Sequence, residues 1–485
     1  MKWQIVAVLL VYLAFMFLIG MWGAGLTGRA KGGFLEEYFL GGRGMGGFIL
    51  AMTLTTTYIS AGSFIAGPGA AYAMGLGWVL LAITQLSVGY LVLAVLGKRF
   101  AIVARKIGAI TVIDFLKERY RSKTLVLLSS LGILAFFTAA IAVQFIGGAR
   151  LFQSVTGYAY QTALLIFAGI VVVYVTAGGF RAVVLTDTVQ GVVMFVGTVL
   201  LLVAVFRYGG GVHQVMLKLA AVNPALITPF GPKNFITVPW IMSFWVLVGF
   251  GTIGLPQVAV RSMAYRDSKA MHQAMVIGTF FTGFLMLGMH LVGAVGQAIK
   301  PGIMVPDTVI PTLTMLTMSP WLAGVFLSAP LAAIMSTVSS QLLVLAGTVC
   351  KDLYVNYVNP RADEKLLKRL GLLITGLTGA IVLALSFHPP GFLVWLNLFA
   401  LAGLETTFLW PTLLGLYWRR ANAAGAIASV IVGTGTYILF NAYWERPFGT
   451  HTIILPLALS LLVFVIVSRL TPPPAPETLR RFWGR

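Results

Sequence analysis

Long apolar runs alternate along this chain with short segments that gather most of its charge. A helix that crosses a bilayer needs about 20 mainly apolar residues. On that rule about thirteen spans are expected, over 3–26, 46–73, 76–97, 124–150, 160–179, 183–206, 238–263, 271–298, 319–349, 367–386, 391–417, 422–443 and 450–468. Met1 to Leu26 is long for a signal peptide and lacks a small-residue cleavage site, so it reads as a retained first span. The loop 207–237 has room for a short surface helix but not for a domain. The tail TPPPAPETLRRFWGR is Pro-rich and basic, which predicts a disordered, solvated end.

Composition strengthens the membrane reading and adds an orientation. Of 485 residues 59% are hydrophobic and 9% charged, against about a quarter charged in a soluble domain. Net charge is +20, but the basic residues sit in short loops between apolar runs, so they speak for the positive-inside rule and against nucleic-acid binding. Taking the loops alternately, those after spans 1, 3, 5, 7, 9 and 11, with the tail, hold 3, 8, 1, 3, 5, 2 and 4 Lys and Arg; all but seven of the 33 lie there. That side is expected to be cytoplasmic, with the C-terminus inside and the N-terminus outside. One cysteine, Cys350, allows no intramolecular disulfide and argues against a Cys-based zinc site. The expected arrangement is an all-α membrane protein, one polytopic domain over 1–485 with a cytoplasmic tail at 470–485.

Two spans break the apolar pattern. Span 2 reads TTTYISAGSFIAGPG, with Gly62, Gly67, Pro68 and Gly69; span 7 reads GFGTIGLP, with Gly249, Gly251, Gly254 and Pro256. Each opens a block of five spans, 2–6 and 7–11. Interrupted segments at corresponding positions of two halves point to the central site of an inverted-repeat transporter, although Gly and Pro also serve kinks and close packing in membrane helices. An unwound segment frees carbonyls, here those of Thr56 and Ile59, and these are tolerated where they line a cavity or bind something. Span 9 offers hydroxyls to meet them. Its sequence LAAIMSTVSSQLL lies in a stretch without Lys, Arg, Asp or Glu from 308 to 350, and Ala333, Ser336, Thr337 and Ser340 share one helix face. Carbonyls with hydroxyls suit a hard cation such as Na⁺. The same hydroxyls can also bond back to the i−4 carbonyl and serve only to bend the helix.

EYFLGGRGMGG, GPGAAYAMGLGWVLLA, SFWVLVGFGTIGLPQVAVR, VPDTVIPTL, APLAAIMSTVSSQLL and GLETTFLWPTLLGLYWRRANAAGA together resemble the sodium:solute symporter family, over nearly all thirteen spans. The AGGFRA…TDTVQG segment and LGLYW are similar to family-wide features; the others are nearer its pantothenate branch. The resemblance implies a leucine-transporter-like fold of two inverted five-helix repeats, 46–206 and 238–418. It implies a first sodium site at Thr56, Ile59, Ala333, Ser336 and Thr337, with Thr56 standing where many relatives have Ala. It also implies a second sodium site, from Asp187, Ser336, Ser339 and Ser340. The function implied is sodium-driven uptake of pantothenate or a similar small carboxylate across a bacterial inner membrane. Na⁺ is then the coupling ion and the bilayer the surroundings, with no organic cofactor, obligate protein partner or nucleic acid expected.

A carboxylate substrate would be met by free N–H groups at the half-helix N-termini of span 2. Substrate contacts are therefore expected at Ser60, Gly62, Ser63, Gln144, Phe250, Thr252 and Glu405. Glu405 interrupts an otherwise charge-free stretch, and an intramembrane carboxylate is a functional candidate by default; pairing with a neighbouring helix is the alternative. Arg150 is placed to attract a carboxylate or to snorkel. His290, Trp245, Trp395 and Trp410 read as packing residues. Rival functions are transport of proline, another monocarboxylate or a sugar within the same family, a channel, or a membrane enzyme, for which no Asp-rich cluster is present.

Overall fold

The structure is a computed structural model that describes residues 3–27, 43–176 and 180–484. Residues 37–42 of the EYFLGGRGMGG motif and 177–179 of the AGGFRA segment lie outside the described residues. Helices follow one another from α1 (Trp3–Thr27). Span 2 is divided into α2 (Gly47–Tyr58) and, after a π-helical turn, α3 (Gly67–Met74), the two halves bent by 65°. Then come α4 (Leu76–Ile83), α5 (Val88–Val92), α6 (Lys98–Ile107), α7 (Val112–Tyr120), α8 (Lys123–Thr156) and α9 (Tyr160–Thr176). Next are α10 (Phe180–Gly209), α11 (Val212–Val222), α12 (Val238–Phe244) and α13 (Pro256–Arg261). The long α14 (Ser268–Ile299), short α15 (Val309–Thr317) and α16 (Pro320–Gly347) complete the central bundle. The chain ends with α17 (Glu364–Leu385), α18 (Leu393–Tyr417), α19 (Ala423–Tyr443), α20 (Ile454–Leu470) and α21 (Pro476–Trp483).

Each expected span contains helix. By length and apolarity nine helices suffice to cross a membrane among the described residues, or ten with the bent pair taken as one. Polar caps end the apolar runs: the Asp267, Asp363 and Asn422 side chains accept the N–H of Ala270, Leu366 and Gly425 at the starts of α14, α17 and α19, satisfying donors that a helix start leaves unpaired. Small residues set the closest approaches. α16 lies against α10 so tightly that a Cβ at Gly197 would stand 2.6 Å from that of Ala329, and it also packs on α1 and α8. α14 packs along α2, α3 and α10. The broken helix is thereby held between α14 and α16.

Two expectations are corrected. The stretch 98–123, read as a loop, is largely helical. KRFAIVARKI buries Phe100, Ala101, Val103, Ala104 and Ile107, a helical stripe that a count of charges overlooks. The tail does not form a disordered end. Pro476 starts α21, and Phe482 is buried beside Phe115. Arg119 lies over the rings of Phe482 and Trp483 at 5.7 and 5.0 Å, and Arg121 pairs with Glu477 at 3.0 Å. Phe482→Ala is expected to undock this helix at about 3 kcal/mol, speeding amide exchange over residues 476–483 by roughly a hundredfold. Unchanged exchange in that segment would sink the assignment.

Candidate ion and substrate sites

The site begins where α2 ends. Ile59 is extended (φ −73°, ψ 126°), so the i→i−4 ladder stops and the carbonyls of Thr56 and Ile59 turn towards α16. Ser336 Oγ donates to Thr56 O at 3.0 Å and to Ala333 O at 3.1 Å; Thr337 Oγ1 donates to Ile59 O at 3.0 Å and to Ala333 O at 2.9 Å. All five groups expected at the first sodium site therefore converge between the break and one turn of α16, and all five residues are buried. The i−4 bond of Thr337 coexists with the bond across to the break, so the two readings of its hydroxyl are not exclusive. Every atom of the set is a neutral oxygen, the ligand type a hard cation takes.

Of the residues expected at a second sodium site, Ser336 belongs to the cluster above and Ser339 Oγ bonds back to Met335 O at 2.8 Å. Asp187, on α10, accepts from Thr53 Oγ1 at 2.6 Å. The cation beside it is Arg261, the last residue of α13 and one of the three basic residues counted with the loop after span 7. Its terminal nitrogen lies 3.5 Å from Asp187 Oδ2 and donates to Ser340 Oγ at 2.6 Å.

A cavity of about 50 Å³ lies beside the break, lined among others by Tyr58, Ser60, Gly62, Ser63, Trp78, Gln85, Gln144, Gln257, His290, Gln341 and Asn397. Pockets for drug-sized ligands occupy about 300–1,000 Å³, so this cavity is smaller than such a ligand needs. Of the residues named as substrate contacts, Ser60, Gly62, Ser63 and Gln144 line it; Phe250, Thr252 and Glu405 do not. The 3₁₀ turn Phe250–Gly254 turns the first two away. Phe250 packs on Trp410, Thr252 Oγ1 donates to Gly249 O at 2.6 Å, and Glu405 lies behind Gly251 with neither carboxylate oxygen hydrogen-bonded. The half-helix N–H groups are also not free: Ala61 N donates to Gln144 Oε1 at 2.8 Å and Gly62 N to Ser60 Oγ at 3.0 Å. The sequence reading missed Gln85, Gln257, Gln341 and Asn397, because which neutral amides face the cavity, beyond Gln144, is set by the packing of the helices and not by a local pattern. His290 bonds Met286 O through Nδ1 and also lines the cavity. Trp410 donates to Leu457 O, and Trp395 packs among Trp78, Phe235 and Trp240.

Arg150 donates to Gln153 Oε1 at 3.0 Å and lies over the Tyr160 ring at 4.8 Å. It partly offsets the burial that pushes the carboxyl of Asp307, in the 3₁₀ turn Pro306–Thr308, up to about 6. A carboxyl whose folded value is raised favours the folded state when protonated. Its contribution is complete below about pH 4, the unfolded value, and is lost as pH rises through about 6. Wild type is expected to gain about 2–3 kcal/mol of stability from this group on acidification from pH 7 to 4. Asp307→Asn should lack that increment; parallel melting curves against pH for the two proteins would refute it.

An all-helical, apolar bundle that frees helix carbonyls against a buried hydroxyl stripe is the architecture of an ion-coupled secondary transporter. The family model described as the sodium:solute symporter family matches residues 38–433, and the chain belongs to that family. It is 47% identical to the sodium/pantothenate symporter of Haemophilus influenzae over 475 residues and 49% identical to that of Escherichia coli over 471, with 97% of each chain covered in both cases. It is 35% identical to the osmoregulated proline transporter OpuE of Bacillus subtilis, over 99% of this chain and 98% of the relative. Among solved structures, a Na⁺-coupled sialic acid symporter in a substrate-bound outward-open state superposes with a TM-score of 0.80, covering 97% of this chain and 98% of that one at 18% identity. A nucleobase-cation-symport-1 transporter reaches 0.55 at 16% identity, covering 92% and 97%. At these identities the structural likeness speaks for the fold alone.

Proposed function

We propose that this chain is a sodium-coupled symporter that takes up pantothenate by alternating access. The observation that carries the reading is the meeting of Thr56 O and Ile59 O with Ser336 and Thr337 at the break. An ion there would bridge α2 to α16 and hold the two in register. Identity of 47–49% across almost the whole chain to sodium/pantothenate symporters supports the substrate, and the more distant proline transporter makes proline the solute to test against it. Ser60, Gly62, Ser63 and Gln144 would receive the substrate once the cavity widens. Gln144 would release the Ala61 N–H, and with it the positive end of the half-helix, to the carboxylate. Phe250, Thr252 and Glu405 would act from behind the cavity wall.

In this reading thirteen helices cross the bacterial inner membrane, with the N-terminus outside and 470–485 in the cytoplasm. The blocks 46–206 and 238–418 rock against each other. Sodium favours the outward-open state; substrate then closes the outer path, and the inner one opens. Each Na⁺ entering down 100 mV gains about 2.3 kcal/mol, which offsets the equal cost of bringing in one monoanion. At one Na⁺ per anion, accumulation is therefore driven by the Na⁺ concentration gradient. Labelled pantothenate uptake by proteoliposomes tests the proposal. Uptake should require an inward Na⁺ gradient and be competed by unlabelled pantothenate. Competition by proline but not by pantothenate would move the reading to another solute, and sodium current without solute would make the protein a channel.

A further inference from the structure

We propose that the guanidinium of Arg261 is the resident cation of the Asp187 cluster, so that the chain binds one exchangeable Na⁺, at the helix break, and none at Asp187. This deepens the symport reading above and rests on it. Arg261 is fully buried and tied to three helices besides its own. Besides Asp187 Oδ2 and Ser340 Oγ, its Nε lies 3.4 Å from Thr53 Oγ1, and a second terminal nitrogen donates to Gln257 O at 3.1 Å. Thr57 Oγ1 lies 3.4 Å from Ser340 Oγ, which closes the ring of hydroxyls. A buried carboxylate needs one positive charge, and here it has one.

A sodium ion on the same carboxylate would have to share it with the guanidinium at contact distance, two like charges in a medium of low dielectric. Lysine can yield such a place by losing its proton. Arginine cannot, because its charge persists. It would have to leave, and leaving would strand a fully buried guanidinium. Of the other oxygens of the expected set, Ser340 Oγ already accepts from Arg261 and Ser336 Oγ lies at the break, which leaves Ser339 Oγ, bonded back to Met335 O, beside the carboxylate. Asp187 Oδ1, which has no hydrogen-bond partner, is one oxygen and not a cage. Asp187 thus holds α2, α10, α13 and α16 together through a charge carried by the chain itself. The coupling stoichiometry follows from that.

The test is equilibrium binding of ²²Na⁺ to the purified full-length protein, which needs no assumption about the solute. One Na⁺ per chain is expected in wild type. Arg261→Gln leaves Asp187 without its cation and should raise the number to two. Asp187→Asn with Arg261→Gln removes both charges and should return it to one. Two Na⁺ bound in wild type, falling to one in Asp187→Asn alone, would overturn the inference and leave symport standing. Absence of Na⁺ binding in wild type would overturn the symport reading, and this inference with it. Should the single Arg261 variant fail to fold, the wild-type number and the Asp187→Asn number still decide.

Discussion

Replacing Ser336 by alanine should raise the Na⁺ concentration for half-maximal uptake by roughly ten- to a hundredfold. The hydroxyl is one of five oxygens around the break and reaches Thr56 O and Ala333 O. A polar interaction with a charged partner contributes about 1.5–3 kcal/mol, and each 1.4 kcal/mol is a factor of ten in affinity. Thr337→Val removes a second oxygen at nearly constant volume and should do the same, whereas Thr337→Ser keeps the hydroxyl and should stay near wild type. Initial uptake rates measured against Na⁺ concentration in proteoliposomes separate these outcomes. The substrate concentration for half-maximal rate, taken at saturating Na⁺, should move far less. If Ser336→Ala and Thr337→Val both kept the wild-type sodium dependence, the ion would not be bound at this break.

This first site was legible in the sequence because its chemistry is local on each helix. Gly62, Gly67 and Pro68 announce the interruption, and four hydroxyls within five residues of a charge-free stretch announce the partner face. What periodicity does not contain is the relation between helices. Arg261 stands seven residues beyond the 3₁₀ turn, at an end where the positive-inside rule already accounts for a basic residue, so nothing in the sequence pointed it inward to Asp187. Phe250 and Thr252 flank the glycines of the second break, but which side of a 3₁₀ turn faces the cavity depends on its dihedrals. Asn397 escaped notice for another reason. Its amide packs against Gly62, where a Cβ would meet Asn397 Nδ2 at 2.5 Å, yet as a neutral residue in an apolar helix it carries no charge signal. The tail was misread because its prolines weighed more in the composition than the alternation of Thr478 and Phe482 with the arginines between them.

A close approach of backbone to backbone yields the other large effect, at Gly293. α14 crosses the start of α3 there, and a Cβ at Gly293 would lie 2.2 Å from Pro68 O and 2.6 Å from Pro68 Cα. Both atoms are backbone, so no rotamer change can make room. Either α3 or α14 must shift, and α3 is the half-helix whose start shapes the break and the cavity. Overpacking a well-packed interior costs about 1–3 kcal/mol, and a rigid backbone partner puts Gly293→Ala at about 3 kcal/mol or more, with uptake falling at least tenfold. Two other glycines calibrate the effect. Gly97→Ala would press on Met271 Sδ at 2.8 Å, the end of a flexible side chain that can move aside, and should be milder. Gly435 in α19 has nothing within 4 Å, and Gly435→Ala should be neutral or stabilising by up to about 1 kcal/mol, since alanine is the better helix former. Melting temperature in detergent and initial uptake rate, measured on all three, should rank Gly293 worst on both scales. A Gly293→Ala protein that melts and transports like Gly435→Ala would mean that α3 is free to slide along α14, and the site at the break would then be less fixed than its geometry requires.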